Sequence, residues 1–271
     1  MITVNAKNGV QYLRSDIISA RHGFSTRIGG VSKAAHTSSL NLAFGRGDDR
    51  DTVLENLTLF ADALGFDAKR CISVSQIHSA DVRVVTEADA GQGYFAPESF
   101  ACDGYVTNIP GLPIGVKSAD CVPILMEGRD KSGQIIAVGA AHAGWRGTVS
   151  KIAVECIKKL SAFGVLPEDV KVAIGPAICG ECYSVKADFY DAVRNILGER
   201  DTERFLLPTA TEGEWRCDLR RMNKDFLISA GVMAENIEIS DECTCCSPEK
   251  YFSHRYTGGV RGTMLSVIEM P

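Results

Sequence analysis

Nine short apolar runs divided by turns, set against four segments with helical spacing, most restrict what this chain can fold into. The runs cover residues 71–75, 82–86, 104–107, 112–116, 121–126, 134–141, 170–174, 237–240 and 264–268, and read as buried strands. The segments 51–64, 149–163, 184–197 and 218–230 place apolar residues three and four apart behind a polar or glycine boundary. Thr148 or Ser150 can cap the second of these, and Gly164 can end it. Strands outnumber helices, and turns as short as 108–111 and 128–133 join neighbouring runs. A strictly alternating βαβ chain looks different, so the expectation is an α+β fold with mixed or antiparallel sheets and helices packed outside.

No Pro/Ser-rich linker, fixed-period repeat or charge block divides the 271 residues, which predicts a single domain over 1–271. No apolar run approaches the roughly 18 residues of a membrane span. With a net charge of −5 the chain has no basic surplus to neutralise phosphates along a nucleic acid, which excludes that role but not a small anionic substrate. The segment 87–99, rich in Ala, Gly, Asp and Pro, reads as a surface loop near a site. The opening residues MITVNAKNGVQYLRSD have no basic stretch followed by an apolar one, so the expected location is the cytoplasm. In that reducing environment the ten cysteines are expected to be core thiols, metal ligands or nucleophiles rather than disulfides.

Three segments hold His or Cys at or near the end of a run, where side chains can converge on a pocket: Gln76-Ile-His78-Ser-Ala-Asp81, Ser118-Ala-Asp120-Cys121-Val-Pro123 and Ala140-Ala-His142-Ala-Gly-Trp-Arg-Gly147. Two imidazoles and a thiolate suit zinc, and three protein ligands with one open position is the catalytic arrangement. Packing offers an alternative account, since free cysteine is commonly buried and the three residues do not share a local zinc spacing. Gly144-Trp145-Arg146-Gly147 then leads into a helix, whose start, with the Arg146 guanidinium, forms a candidate anion site beside His142. Arg27 and Lys117 are further candidates for phosphate, against the alternative of solvated surface charges. Asp120, next to Cys121, is the candidate carboxylate for proton transfer or ligand support.

Across nearly the whole chain, these motifs resemble the laccase-domain (YfiH-like) purine nucleoside phosphorylases, formerly called polyphenol oxidases. The matching stretches run from His22-Gly-Phe-Ser-Thr-Arg-Ile-Gly-Gly-Val-Ser32 through Asp103-Gly104, Ala119-Asp-Cys-Val-Pro123 and Ala141-His-Ala-Gly-Trp-Arg-Gly147 to Tyr251-Phe-Ser-His-Arg255. The resemblance implies an αββα sandwich, similar also to cysteine-hydrolase toxins of the CNF type. It implies zinc on His78, Cys121 and His142, with purine nucleosides and inorganic phosphate as partners. The implied activities are phosphorolysis of adenosine, inosine, guanosine and methylthioadenosine, and deamination of adenosine. Two departures stand out: Ser79 follows His78 where Gly is usual, which changes a tight turn next to the pocket, and His254 replaces one of an Arg pair.

Rival readings make Cys121 a nucleophile activated by His78 or His142 in an amide hydrolase acting on cell-wall precursors, or make the chain a non-catalytic nucleotide-binding module. Copper oxidation is disfavoured, because a multicopper enzyme needs many more than five histidines. Cys71, Cys102, Cys156 and Cys217 lie in apolar contexts and read as packing residues. Cys179/Cys182 with Cys243/Cys245/Cys246 have residue types for a second tetrahedral metal, but their flanks are unlike a zinc knuckle, and they carry less functional weight than Cys121. The sequence leaves the oligomeric state open between monomer and homodimer.

Overall fold

In the computed structural model, which describes residues 1–271, two large sheets lie face to face with helices on their outer sides. Strands β1 (Ile2–Asn5), β2 (Gln11–Arg14), β3 (Arg21–Ser25), β14 (Met264–Glu269) and β6 (Ile114–Ser118) form, in that order, a five-stranded sheet that is antiparallel throughout. The six-stranded sheet runs β13 (Ile237–Ile239), β9 (Val170–Ile174), β7 (Val122–Arg129), β8 (Ile135–Ala143), β5 (Gly104–Thr107) and β4 (Val82–Val84), antiparallel in its middle and parallel at both ends. A small antiparallel sheet joins β10 (Ser184–Lys186), β12 (Glu214–Cys217) and β11 (Leu206–Pro208). The chain is therefore α+β with mixed sheets.

Helix α1 (Arg50–Leu64) starts where the Asp49 carboxylate accepts the Thr52 amide at 2.7 Å and stops at Gly65, whose φ of 89° suits glycine. Its buried residues Val53, Leu57, Phe60 and Ala61 face the outer side of the five-stranded sheet, where they meet Tyr12, Leu265 and Val267. Helices α2 (Trp145–Val149), α3 (Ile152–Ser161) and α6 (Leu219–Ser229) cover the other sheet, with α4 (Ala187–Leu197) and α5 (Glu199–Phe205) beside the small one. A single turn, α7 (His254–Thr257), precedes β14.

The alternation of strand side chains assigns each residue to a layer. Along β14, Leu265 and Val267 face α1, whereas Met264 and Ile268 face the other sheet. Along β7, Val122, Ile124 and Met126 pack under the helices while Leu125 points between the sheets. Burial on both faces explains why these strands read as continuous apolar runs.

Several expectations change in detail. Residues 71–75 form no strand and make only an isolated bridge, Ile72 to Ile114, beside the edge strand β6. The 149–163 helix divides at Lys151, whose φ is 61°, so Gly144 caps α2 and neither Thr148 nor Ser150 caps the start. Residues 184–186 leave the 184–197 helix to pair with β12. The 108–111 turn joins β5 to β6, which lie in different sheets, whereas 128–133 closes the β7 to β8 hairpin. No helix is long and apolar enough to cross a membrane.

Contact between the sheets is close where Gly175 follows β9. A Cβ there would lie 2.2 Å from the Phe24 ring, which is 1% exposed and has nowhere to move. Gly175→Ala is expected to lower unfolding stability by about 1–3 kcal/mol, the usual cost of overpacking, as read from the midpoint of urea unfolding.

Candidate metal centre and cavity

The Asp103 carboxylate, just before β5 and fully buried, organises the site. Its Oδ1 accepts the His78 amide at 3.0 Å and faces His142 Nδ1 at 2.9 Å. Its Oδ2 accepts the amides of Ile77 at 3.1 Å and Ser79 at 2.7 Å, and the Ser79 hydroxyl at 2.8 Å. Burial alone would raise this carboxyl, but these donors outweigh it and hold it at about 2. The anchored loop accommodates His78 at a φ of 57°, a conformation L-residues seldom adopt. Ser79 is therefore not a cavity residue; its hydroxyl adds a donor to the carboxylate that orients His142.

With Nδ1 directed at Asp103, His142 presents Nε2 to Cys121, and His78 approaches the same thiol. The two imidazoles lie edge to face, centroids 5.0 Å apart. Burial opposes ionisation of Cys121, but His142 and His78 bring its thiol down to about 6. Burial likewise opposes the charge on His142, which Cys121 and Asp103 raise to about 9. One ligand atom from each of His78, Cys121 and His142 falls within 4.8 Å of the others. A Cβ on Gly144 would lie 3.0 Å from His78 Cδ2, 3.3 Å from Cys121 Sγ and 3.6 Å from His142 Cε1, so glycine keeps clear the space on which all three converge. Two imidazoles and a low-pKa thiol around such a space fit a thiophilic divalent ion with one position left open.

This trio lines a cavity of about 290 Å³. The same lining carries three cations, Lys117 on β6, Arg46 and Arg261, with Glu98 its one carboxylate. Lys117 Nζ donates to the Ser73 carbonyl at 2.8 Å, and burial brings the ammonium down to about 8. Arg261 donates to Thr263 Oγ1 at 2.8 Å while its buried Nε has no protein partner. Phe44 belongs to the lining, and Gly93 and Glu98 come from the 87–99 segment.

Of the sequence candidates, the fold brings together His78, Cys121, His142 and Lys117. Arg146 is exposed and lies 4.2 Å over the Trp145 ring, outside the cavity, and the helix behind His142 is only five residues long. Arg27 is held by the carbonyls of Ser38, Pro248 and Ala35. Asp120, with φ 90°, turns its carboxylate away from Cys121 to accept Thr244 Oγ1 at 2.7 Å and the Arg255 amide at 2.6 Å. His254 starts α7 and does not line the cavity. Sequence reasoning missed Asp103, Arg46 and Arg261. A signal for the arginines was their glycine setting, Gly45-Arg46-Gly47 and Arg261 beside Gly262, because glycine lets backbone approach a site closely. Cys71, Cys102, Cys156 and Cys217 are all buried, and burial pushes Cys71, Cys102 and Cys217 up to about 12.

Asp103→Asn puts an amide among groups that all donate, and is expected to weaken metal affinity by about 10- to 100-fold in chelator competition. Asp120→Asn, whose side chain tolerates the same φ and still accepts Thr244, is expected to leave that affinity in place.

Residues 21–271 match the family described as multi-copper polyphenol oxidoreductase laccase. The chain is 36% identical over 251 residues to the purine nucleoside phosphorylase YlmD of Geobacillus stearothermophilus, covering 91% of this chain and 88% of that one. It is 34% identical over 239 residues to the adenosine deaminase RL5 of an unknown prokaryotic organism, covering 87% and 88%. The crystal structure of the Bacillus licheniformis hypothetical protein YfiH superposes with a TM-score of 0.88 at 32% identity, covering 99% of each chain. On this evidence of sequence and fold, the chain belongs to the laccase-like family of multi-copper polyphenol oxidoreductase description that includes proteins named purine nucleoside phosphorylases.

Proposed function

We propose that the chain is a zinc-dependent purine nucleoside phosphorylase that also deaminates adenosine, working as one domain over residues 1–271 in the cytoplasm. Its substrates are adenosine, inosine, guanosine and methylthioadenosine, with inorganic phosphate as co-substrate. The observation that carries this reading is that one cavity is lined both by the His78, Cys121 and His142 trio and by the cations Lys117, Arg46 and Arg261. The names of the relatives, phosphorylase and deaminase, accord with it.

In phosphorolysis a phosphate oxygen bonds to C1′ as the C1′–N9 bond breaks, and the bonding pair leaves with the purine. Lys117, Arg46 and Arg261, all in the cavity lining, hold the phosphate. Phe44 offers the flat apolar contact that a purine favours. Asp103 acts as a positioning residue by fixing the ring orientation of His142 and the loop bearing His78. His78, Cys121 and His142 would hold zinc, which would supply Lewis acidity to the reaction.

A second reading has one specific support: Asp103, His142 and Cys121 stand in the order of an acid, base and thiol in a cysteine hydrolase of amides, including cell-wall precursors. The convergence of His78 on the same sulfur favours the metal. Alkylation of Cys121 at one equivalent in protein purified without metal, with amide cleavage, would decide for the hydrolase.

Incubation with adenosine is expected to give adenine and ribose 1-phosphate only when phosphate is added, and inosine with or without it, as separated by chromatography. Cys121→Ala is expected to lose the metal of this cavity and both products. Wild-type metal content and rate in this variant would overturn the proposal. Lys117 sheds its charge as pH rises through about 8, so the KM for phosphate should climb above that pH. The climb should approach the ten- to hundredfold worth of a charged hydrogen bond, about 1.5–3 kcal/mol, and flatten in Lys117→Arg, which stays charged.

A further inference from the structure

Two turns outside the cavity place four more thiols around one point. Cys179 and Cys182 sit on a turn after β9, closed by the Cys182 and Tyr183 amides donating to the Cys179 carbonyl at 3.1 and 3.0 Å. Cys243 and Cys246 sit on a turn after β13, the parallel neighbour of β9, closed by the Ser247 amide donating to the Cys243 carbonyl at 3.2 Å. The turns are joined by the Thr244 amide to the Ala177 carbonyl at 3.2 Å. Each therefore offers a Cys-x-x-Cys pair. The sulfurs of Cys179, Cys182, Cys243 and Cys246 all lie within 4.8 Å of one another, while Cys245 stands outside the group.

From this geometry we infer a second metal site, a structural zinc held by Cys179, Cys182, Cys243 and Cys246. A Zn–S bond of about 2.3 Å gives a tetrahedron with sulfurs about 3.8 Å apart. The Cys182 to Cys246 separation of 3.3 Å and the 4.8 Å limit on the set bracket that spacing. All four cysteines are free, and 3.3 Å is far beyond a disulfide bond of about 2.05 Å. The Cys179 amide donates to Cys243 Sγ at 3.2 Å, a hydrogen bond suited to a thiolate. Arg255 bonds the Cys182 carbonyl at 3.0 Å and brings a positive charge beside the cluster. As four sulfur–zinc bonds form, four thiol protons pass to solvent; no oxidant or reductant takes part. Four thiolates complete the coordination, so this ion is closed to substrate, unlike one at His78, Cys121 and His142.

The site also has a place in the architecture of the cavity. Ile178 donates its amide to the Asp120 carbonyl at 3.0 Å, and Thr244 donates its hydroxyl to the Asp120 carboxylate at 2.7 Å. The clamped turns thus grip the residue before Cys121 from two sides.

Elemental analysis of the full chain, purified without chelator, is expected to find two equivalents of zinc. Cys179→Ser/Cys246→Ser should retain one, and Cys121→Ala should retain the other. Cobalt loaded into Cys121→Ala should give the intense thiolate-to-metal charge-transfer band of a four-sulfur tetrahedral site, a readout that does not depend on the double variant folding. A full metal complement in Cys179→Ser/Cys246→Ser would overturn the inference. So would absence of a four-sulfur cobalt spectrum, or a denatured thiol titration showing two thiols lost to a disulfide.

Discussion

One buried negative charge sets the geometry of the cavity. Asp103 stands where a carboxylate has no water to lean on, and an unpaired charge there would be costly. It is satisfied instead by three consecutive amides, a hydroxyl and an imidazole. Those bonds hold the His78 loop in a backbone conformation it would otherwise leave and fix which nitrogen of His142 faces the thiol. The two histidines thus share one anchor although they come from distant parts of the chain. Folding of the loop and orientation of the ring are the same event.

The layered architecture delivers these parts without long excursions. His142 is in register with Pro123 across the β7 to β8 pair, so Cys121, two residues before Pro123, comes alongside it. The turn carrying Cys121 passes from β6 in one sheet to β7 in the other, and Lys117 lies on β6 just before it. Neighbouring strand ends supply ligand and cation alike.

Much of this was legible in the sequence where hydrophobic pattern controls structure. The inner strands of the six-stranded sheet and α1 and α6 follow from apolar spacing, because burial on one or both faces imposes it. The first three strands were hidden. In β3, His22 and Ser25 are buried on opposite faces, where they accept the Ser15 and Leu265 amides respectively, so the strand lacks the apolar signature. That His78, Cys121 and His142 meet was readable from residue type and motif. The supporting carboxylate was not: adjacency in sequence favoured Asp120, but the turn sends that side chain to Thr244, and Asp103 reaches His142 only through the β5 to β8 pairing. Arg146 and Arg27 lie outside the lining that His78 and Cys121 share, since a positive charge near a motif says nothing of which side of the chain it leaves; Arg27 lines a second cavity that shares Arg261.

The position of the cavity at the seam of two sheets has a mechanical meaning. Lys117 belongs to the five-stranded sheet and His142 to the six-stranded one, and Cys121 sits on a short connection between them. Any sliding of one sheet over the other changes the gap between cation and imidazole directly. The close meeting of Gly175 with Phe24 resists that sliding, so the apolar filling between the sheets works as a spacer that sets the width of the cavity.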